Sequence, residues 1–521
     1  MKFLNSIYHN LSVTPFLLFA SFMLARYSHN RGDLLLTAIA WPLLAAALIC
    51  LVLQLIFALL IKNKTKRFFS ISVLILFNFS FGEVIYFLNK IGLAAIANTY
   101  AFFPLWLGLM NLSFVLIYKT KRNLASVNRF IFIFSIFAVL LPLLTIVPYE
   151  ITRTFIHPKI KSPMLLPEIS KAGPEHGLPD IYYILPDSYT SSALLKDSLN
   201  YDNSEFVKYL EAKGFYIAQD STSNYPVTFL SLASTLNMEY LDYLSVYKSS
   251  LDKTVVIPLI NDSNVKKFLA KFGYKYYQLG SWWGLTNNNP LADRNFISEE
   301  AAFGETNFFN YSILYTTLAS PVVERIFSKI SLMNMRADVR KLSLYQLDEL
   351  PEIAKINGPK FVFAHILAPH DPYVLGRHCE LVTAYDKKVE ELYADQTNCV
   401  NEKLRVTIDR IIENSKTPPV ILIQSDEGVP DFNKEKSSED AWEEADDAML
   451  QEKFPVFAAY YLPGVSTSSL YSSISNVNSF REILNLYFST DLPILPDKNY
   501  IFPNERSFYE LIDVTDRVKK D

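Results

Sequence analysis

Cysteine is scarce, three in 521 residues, which excludes a disulfide-rich miniprotein. Charge is also sparse. Only 20% of residues are Asp, Glu, Lys or Arg, and 49 Lys+Arg against 53 Asp+Glu leave a net charge of −4. Such a balance gives no electrostatic footprint for a nucleic-acid partner. No internal repeat is evident. The first apolar stretch lacks the basic start and small-residue cleavage site of a secretory signal, so it reads as a retained helix. What the chain has in plenty is apolar and aromatic: 50% hydrophobic, with 38 Phe and 31 Tyr, and a mean hydropathy of +0.14. That composition excludes disorder and a coiled coil, and suits a membrane protein with a large folded part.

The apolar residues are concentrated at the beginning. Leu34–Ile61 carries no charge over more than the roughly 20 positions that cross ~30 Å of hydrocarbon. Phe68–Leu88, interrupted only by Glu83, Thr99–Tyr118 and Phe130–Val147 are three more spans, and Ser12–Ala25 is a shorter one. Five helices are therefore expected over residues 1–150. Lys62, Lys64, Lys66 and Arg67 in one short loop, and Lys119, Lys121, Arg122 and Arg129 in another, place those loops in the cytoplasm. The N-terminus is then inside and everything after Pro148 outside, although Arg26 and Arg31 mildly oppose this. Glu83, an acid within a span, is either functional or a protonated or helix-paired residue near one end of its span. Cys50 reads as packing.

Residues 151–178 are proline-bearing and polar, as in an extended extracytoplasmic linker. Residues 179–521 alternate short apolar runs with helical spacing. Asp180–Leu185, Phe215–Ala218, Tyr274–Gln278, Lys360–Ile366 and Val420–Gln424 read as strands, and Phe206–Lys213, Val265–Phe272 and Leu392–Ser415 as helices. This is the pattern of an α/β domain with a mostly parallel, buried central sheet, whose site lies at the carboxyl ends of strands. Glu439–Asp447 reads as a solvated helix or flap. Cys379 and Cys399 both fall in this domain, where an oxidising compartment permits a bridge without requiring one.

Three strand ends carry unusual polar sets. Asp187 follows the first strand, His365 and His370 lie at the end of another, and Asp426 and Glu427 follow a third. Acids and histidines from separate strand ends can converge on one divalent cation, which polarises a phosphoryl or sulfuryl oxygen and lowers the pKa of a bound hydroxyl. Singly, each acid is an ordinary turn or cap residue.

Five blocks, PDIYYILPDSY, SNYPVTFLSLASTLN, FVFAHILAPHDPY, PPVILIQSDEG and NSFREILNLYFSTDLPILPD, resemble successive segments of the sulfatase-like branch of the alkaline-phosphatase superfamily. They are most similar to its membrane-anchored bacterial members, the lipoteichoic-acid-synthase-like and phosphoethanolamine-transferase-like proteins. The resemblance spans residues 179 to about 500. It implies a bacterial cytoplasmic-membrane protein with an extracytoplasmic sulfatase-like domain. Asp187, Thr228, Asp426 and Glu427 would be metal ligands, Thr228 the nucleophile, and His365 and His370 would stand near the substrate or leaving group. Thr228 opens a helix, where unpaired N–H groups favour anionic phosphate; the plain alternative is a helix cap, and Ser231 is the substitute nucleophile. The chain departs from the pattern in two places. Glu427 stands where many relatives have histidine, favouring Mn²⁺ or Mg²⁺ over Zn²⁺, and Ser188 stands where glycine often follows the acid. Neither Cys379 nor Cys399 begins the Cys-x-Pro-x-Arg signature of sulfatases. The implied reaction moves a phospho-alcohol group from a phospholipid donor to an envelope glycan or lipid. A phosphodiester or sulfate-ester hydrolase and a non-catalytic envelope-assembly scaffold are the alternatives.

Overall fold

The structure is a computed structural model, and it describes residues 11–32, 34–93, 99–156, 160–167, 177–298, 309, 313–314, 316–322, 335–383, 387–429 and 442–519. The chain divides into two compact units, Met1–Pro158 with Glu305–Asn334, and Lys159–Gly304 with Met335–Asp521.

The first unit holds α1 (Thr14–His29), α2 (Ala40–Leu60), α3 (Lys64–Lys90), α4 (Thr99–Lys119) and α5 (Ala125–Ile151). Among the described residues four stretches are long and apolar enough to cross a bilayer: Leu36–Leu60, Lys64–Lys90, Tyr100–Lys119 and Ala125–Phe155. The fifth expected helix is present as α1, but its 16 residues reach only about 24 Å. It packs on α5, α3 and α2. Its Leu18 and Met23 join Cys50, Ile71, Ile75 and Phe79 in one cluster, which accounts for Cys50 as packing. Arg26 of α1 lies 3.9 Å from Glu83 of α3, so the intramembrane acid is helix-paired.

Residues 316–318, far along the chain, belong to this unit. The Gly82 N–H of α3 donates to Thr316 O at 3.0 Å, and Leu318 N–H donates to Asn78 O at 2.8 Å. Leu318 packs with Phe81 and Phe102. A Cβ at Gly82 would lie 2.6 Å from Thr316 O, so this approach needs glycine.

The second unit is built on a seven-stranded sheet, in the order β2-β7-β6-β1-β5-β3-β4. The strands are β1 (Ile181–Pro186), β2 (Tyr216–Ile217), β3 (Lys275–Leu279), β4 (Arg294–Phe296), β5 (Lys360–Ile366), β6 (Val420–Gln424) and β7 (Ala458–Tyr461). β1 pairs in parallel with β5 and β6, β5 with β3, and β3 with β4. β7 is antiparallel to β6 and β2. The central strands are buried throughout, which is why they are nearly continuous apolar runs. Alternate residues face opposite cores. Tyr183, Phe363 and Leu422 pack on one side with α6 (Thr228–Asn237) and α10 (Asn476–Phe488). Tyr182, Val362 and Ile421 pack on the other with α7 (Met335–Ala354) and α8 (Val389–Asn414).

Part of the expected linker is docked on this unit. Residues 160–167 form no helix or strand, Met164 and Leu166 pack against the first core, and Ser162 accepts a hydrogen bond from Asn264 at 2.6 Å. Linker positions 157–159 and 168–176 lie outside the described residues. Of the acidic stretch, Trp442–Glu444 forms a single 3-10 turn with Trp442 buried, and α9 (Asp447–Lys453) follows it, capped by Asp446. Glu439–Ala441 lie outside the described residues. Cys379 and Cys399 are bridged.

Candidate metal centre

The polar sets converge because their strands are neighbours. In register, Pro186 faces Ile366 and Ile184 faces Ile423, so the turns after β1, β5 and β6 emerge side by side at the carboxyl ends of the central strands. Asp187 N–H donates to Ile366 O at 2.9 Å, and Asp187 O accepts from His370 N–H at 3.1 Å. These bonds fix the first acid to the histidine turn. Thr228 is the first residue of α6, after an extended Val227. The loop before it is tied to α10 by Asn224 Oδ1, which accepts from Val477 N–H at 2.8 Å.

Two groups of potential ligand atoms lie within 4.8 Å of one another: Asp187, His365 and Asp426, and Asp187, His370 and Glu427. Asp187 is common to both. His365 is fully buried. Its Nε2 is 3.1 Å from Asp187 Oδ2 and its Nδ1 2.9 Å from Thr286 Oγ1. A carboxylate only accepts, so toward Asp187 Nε2 carries the proton and Thr286 donates to Nδ1; for Nε2 to bind a cation the proton would move to Nδ1, which would then donate to Thr286 Oγ1. Gln346 holds the same residue's carbonyl at 2.9 Å. Ser188 Oγ lies 3.0 Å from both Asp187 Oδ1 and Glu427 Oε1, and Lys453 Nζ lies 2.9 Å from Glu427 Oε1. His370 is partly exposed, with Nδ1 3.2 Å from Asp371 Oδ1.

The electrostatics are crowded. Burial and the charges of Asp187 and Glu427 push the Asp426 carboxyl well up, although the Thr228 hydroxyl and the Ser188 N–H favour its charged form. Burial also raises Glu427, against the opposing pull of Lys453. For Asp187, burial acts upward but His370, His365 and Ser188 outweigh it and its pKa is lowered. His370 is pushed up to about 9, because Asp187, Asp371 and Glu427 overcome the burial that opposes its charge. Asp426 Oδ2 is buried without a formed hydrogen bond. Three clustered carboxylates, one with an orphaned oxygen, beside imidazole form a donor set that fits a divalent cation.

Asp187, His365, His370, Asp426 and Glu427 are thus gathered, and Thr228 stands beside Asp426. Ser231 does not belong with them: it is buried, and its hydroxyl donates to Tyr225 O at 3.0 Å. Sequence reasoning did not find Lys453, Thr286 or the role of Ser188. Ser188 was visible as a departure from the resembled pattern, and its φ of +58° shows the backbone conformation that glycine would serve there.

No protein-family model matches the sequence, and no curated protein does. Solved structures do. The chain is similar to the C-terminal periplasmic domain of EptC from Escherichia coli in complex with Zn, at 12% identity over 67% of this chain and 96% of that one, with a TM-score of 0.42. It is similar to EptA, the integral membrane lipooligosaccharide phosphoethanolamine transferase from Neisseria meningitidis, at 12% identity over 92% and 94%, with a TM-score of 0.38. The 2-O GAG sulfatase BT1596 matches at 11% identity over 61% and 72%, with a TM-score of 0.40. The matched structures thus include a phosphoethanolamine transferase and a sulfatase. At these identities and scores, the chemistry is assigned from the site itself.

Proposed function

We propose that the chain is a membrane-anchored, divalent-metal-dependent transferase. It moves a phospho-alcohol group from a phospholipid to an envelope glycan or lipid, through a phosphorylated Thr228. The observation that carries this reading is Thr228, at the N-terminus of α6, beside a buried Asp426 that shares a ligand cluster with Asp187 and His365. Asp187, His365 and Asp426 would hold the ion, with Thr228 adjoining. When bound, the ion would help ionise the threonine hydroxyl and offset phosphoryl charge.

In the first step Thr228 Oγ bonds to the donor phosphorus and the bond from phosphorus to the lipid alcohol breaks. The threonine proton passes to the departing alkoxide. In the second step the acceptor hydroxyl bonds to the same phosphorus, the Thr228 Oγ–P bond breaks, and the acceptor's proton returns to Thr228. His370, partly exposed and grouped with Asp187 and Glu427, would relay these protons. The basic residues at the α2–α3 junction (Lys62, Lys64, Lys66, Arg67) and the α4–α5 junction (Lys119, Lys121, Arg122, Arg129), together with the Cys379–Cys399 bridge, support an extracytoplasmic location for the second unit.

Thr228→Ala in the full-length protein, assayed with labelled phospholipid and Mn²⁺, is expected to abolish both transfer and the labelled phosphothreonine. Full activity in that variant would remove Thr228 from the chemistry. Release of label to water, with none passing to an acceptor, would make the protein a hydrolase instead.

A further inference from the structure

The two departures from the resembled pattern, Ser188 and Glu427, touch each other, and a third residue joins them. Glu427 Oε1 accepts from Ser188 Oγ at 3.0 Å and from Lys453 Nζ at 2.9 Å. The single Ser188 proton is shared with Asp187 Oδ1, also at 3.0 Å, so the Lys453 ammonium is the firm partner of this oxygen. The side chains of Glu427 and Lys453 are each 8% exposed, and such an ion pair is held firmly because losing one partner strands a buried charge.

Lys453 is fixed there by its backbone. It ends α9, and its carbonyl accepts from Gly428 N–H at 2.7 Å. A Cβ at Gly428 would stand 2.5 Å from Lys453 O, 2.7 Å from Glu452 O and 2.8 Å from Pro455 O. Glycine after Glu427 is therefore what lets the end of α9 close onto the acidic turn. The neighbouring acid is different: Asp426 Oδ2 is buried with no formed hydrogen bond. One acid has its cation supplied by the protein, and the other is left to an ion from solution.

Building on the metal-site reading above, we propose that Lys453 is the resident cation of the Glu427 side. Its ammonium holds the place that a second divalent ion would need. The chain then takes one metal, on Asp187, His365 and Asp426, and Glu427 is the anchor of Lys453 rather than a metal ligand. Removing the ammonium would free Glu427 to act with Asp187 and His370, whose ligand atoms are already grouped.

The test is Mn²⁺ titration by calorimetry, with metal analysis, on the full-length protein in detergent. Wild type is expected to bind one ion. Glu427→Gln is expected to keep that ion, with affinity within about threefold of wild type, whereas Asp426→Asn loses it. Lys453→Met is expected to bind two ions, and Lys453→Arg one. Loss of Mn²⁺ in Glu427→Gln, as in Asp426→Asn, would make Glu427 a ligand and overturn the inference; so would a single ion in a folded Lys453→Met. Should Lys453→Met fail to fold, the Glu427→Gln result decides alone. A wild-type chain that binds neither Mn²⁺ nor Zn²⁺ would instead remove the metal reading itself, a different outcome from either of these.

Discussion

Single hydroxyls decide how the buried histidine and the acids are presented. Thr286 Oγ1 lies between His365 Nδ1 and Ser281 Oγ, at 2.9 and 2.7 Å, so the ring nitrogen that faces Asp187 is set from behind. Outer partners of this kind typically carry ten- to hundredfold in metal affinity. Thr286→Val nearly conserves shape and removes that hydrogen bond. Its Mn²⁺ affinity, measured by titration, is expected to fall by roughly tenfold or more while the protein stays folded; unchanged affinity would show that His365 is not held for a metal. The acids were legible in the sequence because each follows an apolar run that could only be a buried strand. Thr286 and Lys453 were not. A threonine in a one-turn helix and a lysine ending a short helix look like any solvated residue until the fold places them, and no local spacing encodes either contact.

At the scale of elements, β1, β5 and β6 were readable because burial on both faces demands continuous apolar residues. The three-residue β4 and the edge-side antiparallel β7 were missed. β4 is too short to show a period, and Ala458–Tyr461 is only four residues long, with no alternation of apolar and polar side chains to mark it. Helix α1 was readable as a helix, but its length sets it apart from the four longer spans. The contact between the turn after β6 and the end of α9 depends on Gly428, where a side chain meets three carbonyl oxygens. Gly428→Ala is expected to cost roughly 2–3 kcal/mol, as overpacking of a filled interior does. Chemical unfolding would measure it, and a loss below about 0.5 kcal/mol would mean that the turn has room to shift. The same variant should loosen Lys453 from Glu427.

For the whole molecule, the broad division into an apolar helical part and an α/β part was plain from where charge is absent. What the sequence did not disclose is that Thr316 and Leu318 return to pair with α3 through Asn78 and Gly82. Backbone hydrogen bonds leave no mark on side-chain pattern, and a single glycine is a weak sign of close approach. The bridge between Cys379 and Cys399 was left open by spacing and closed by the fold, which brings Cys399, three turns into α8, beside the segment between β5 and α8. Loop closure of this size contributes about 3 kcal/mol to the unit that carries the site.

That unit matters to function through one idea: acids from separate strand ends gather a cation beside Thr228. The most direct measurement is anomalous diffraction from crystals of the full chain grown with Mn²⁺. One peak is expected, bounded by Asp187, His365 and Asp426 and adjoining Thr228. Crystals with no peak, or with the peak away from those residues, would contradict it.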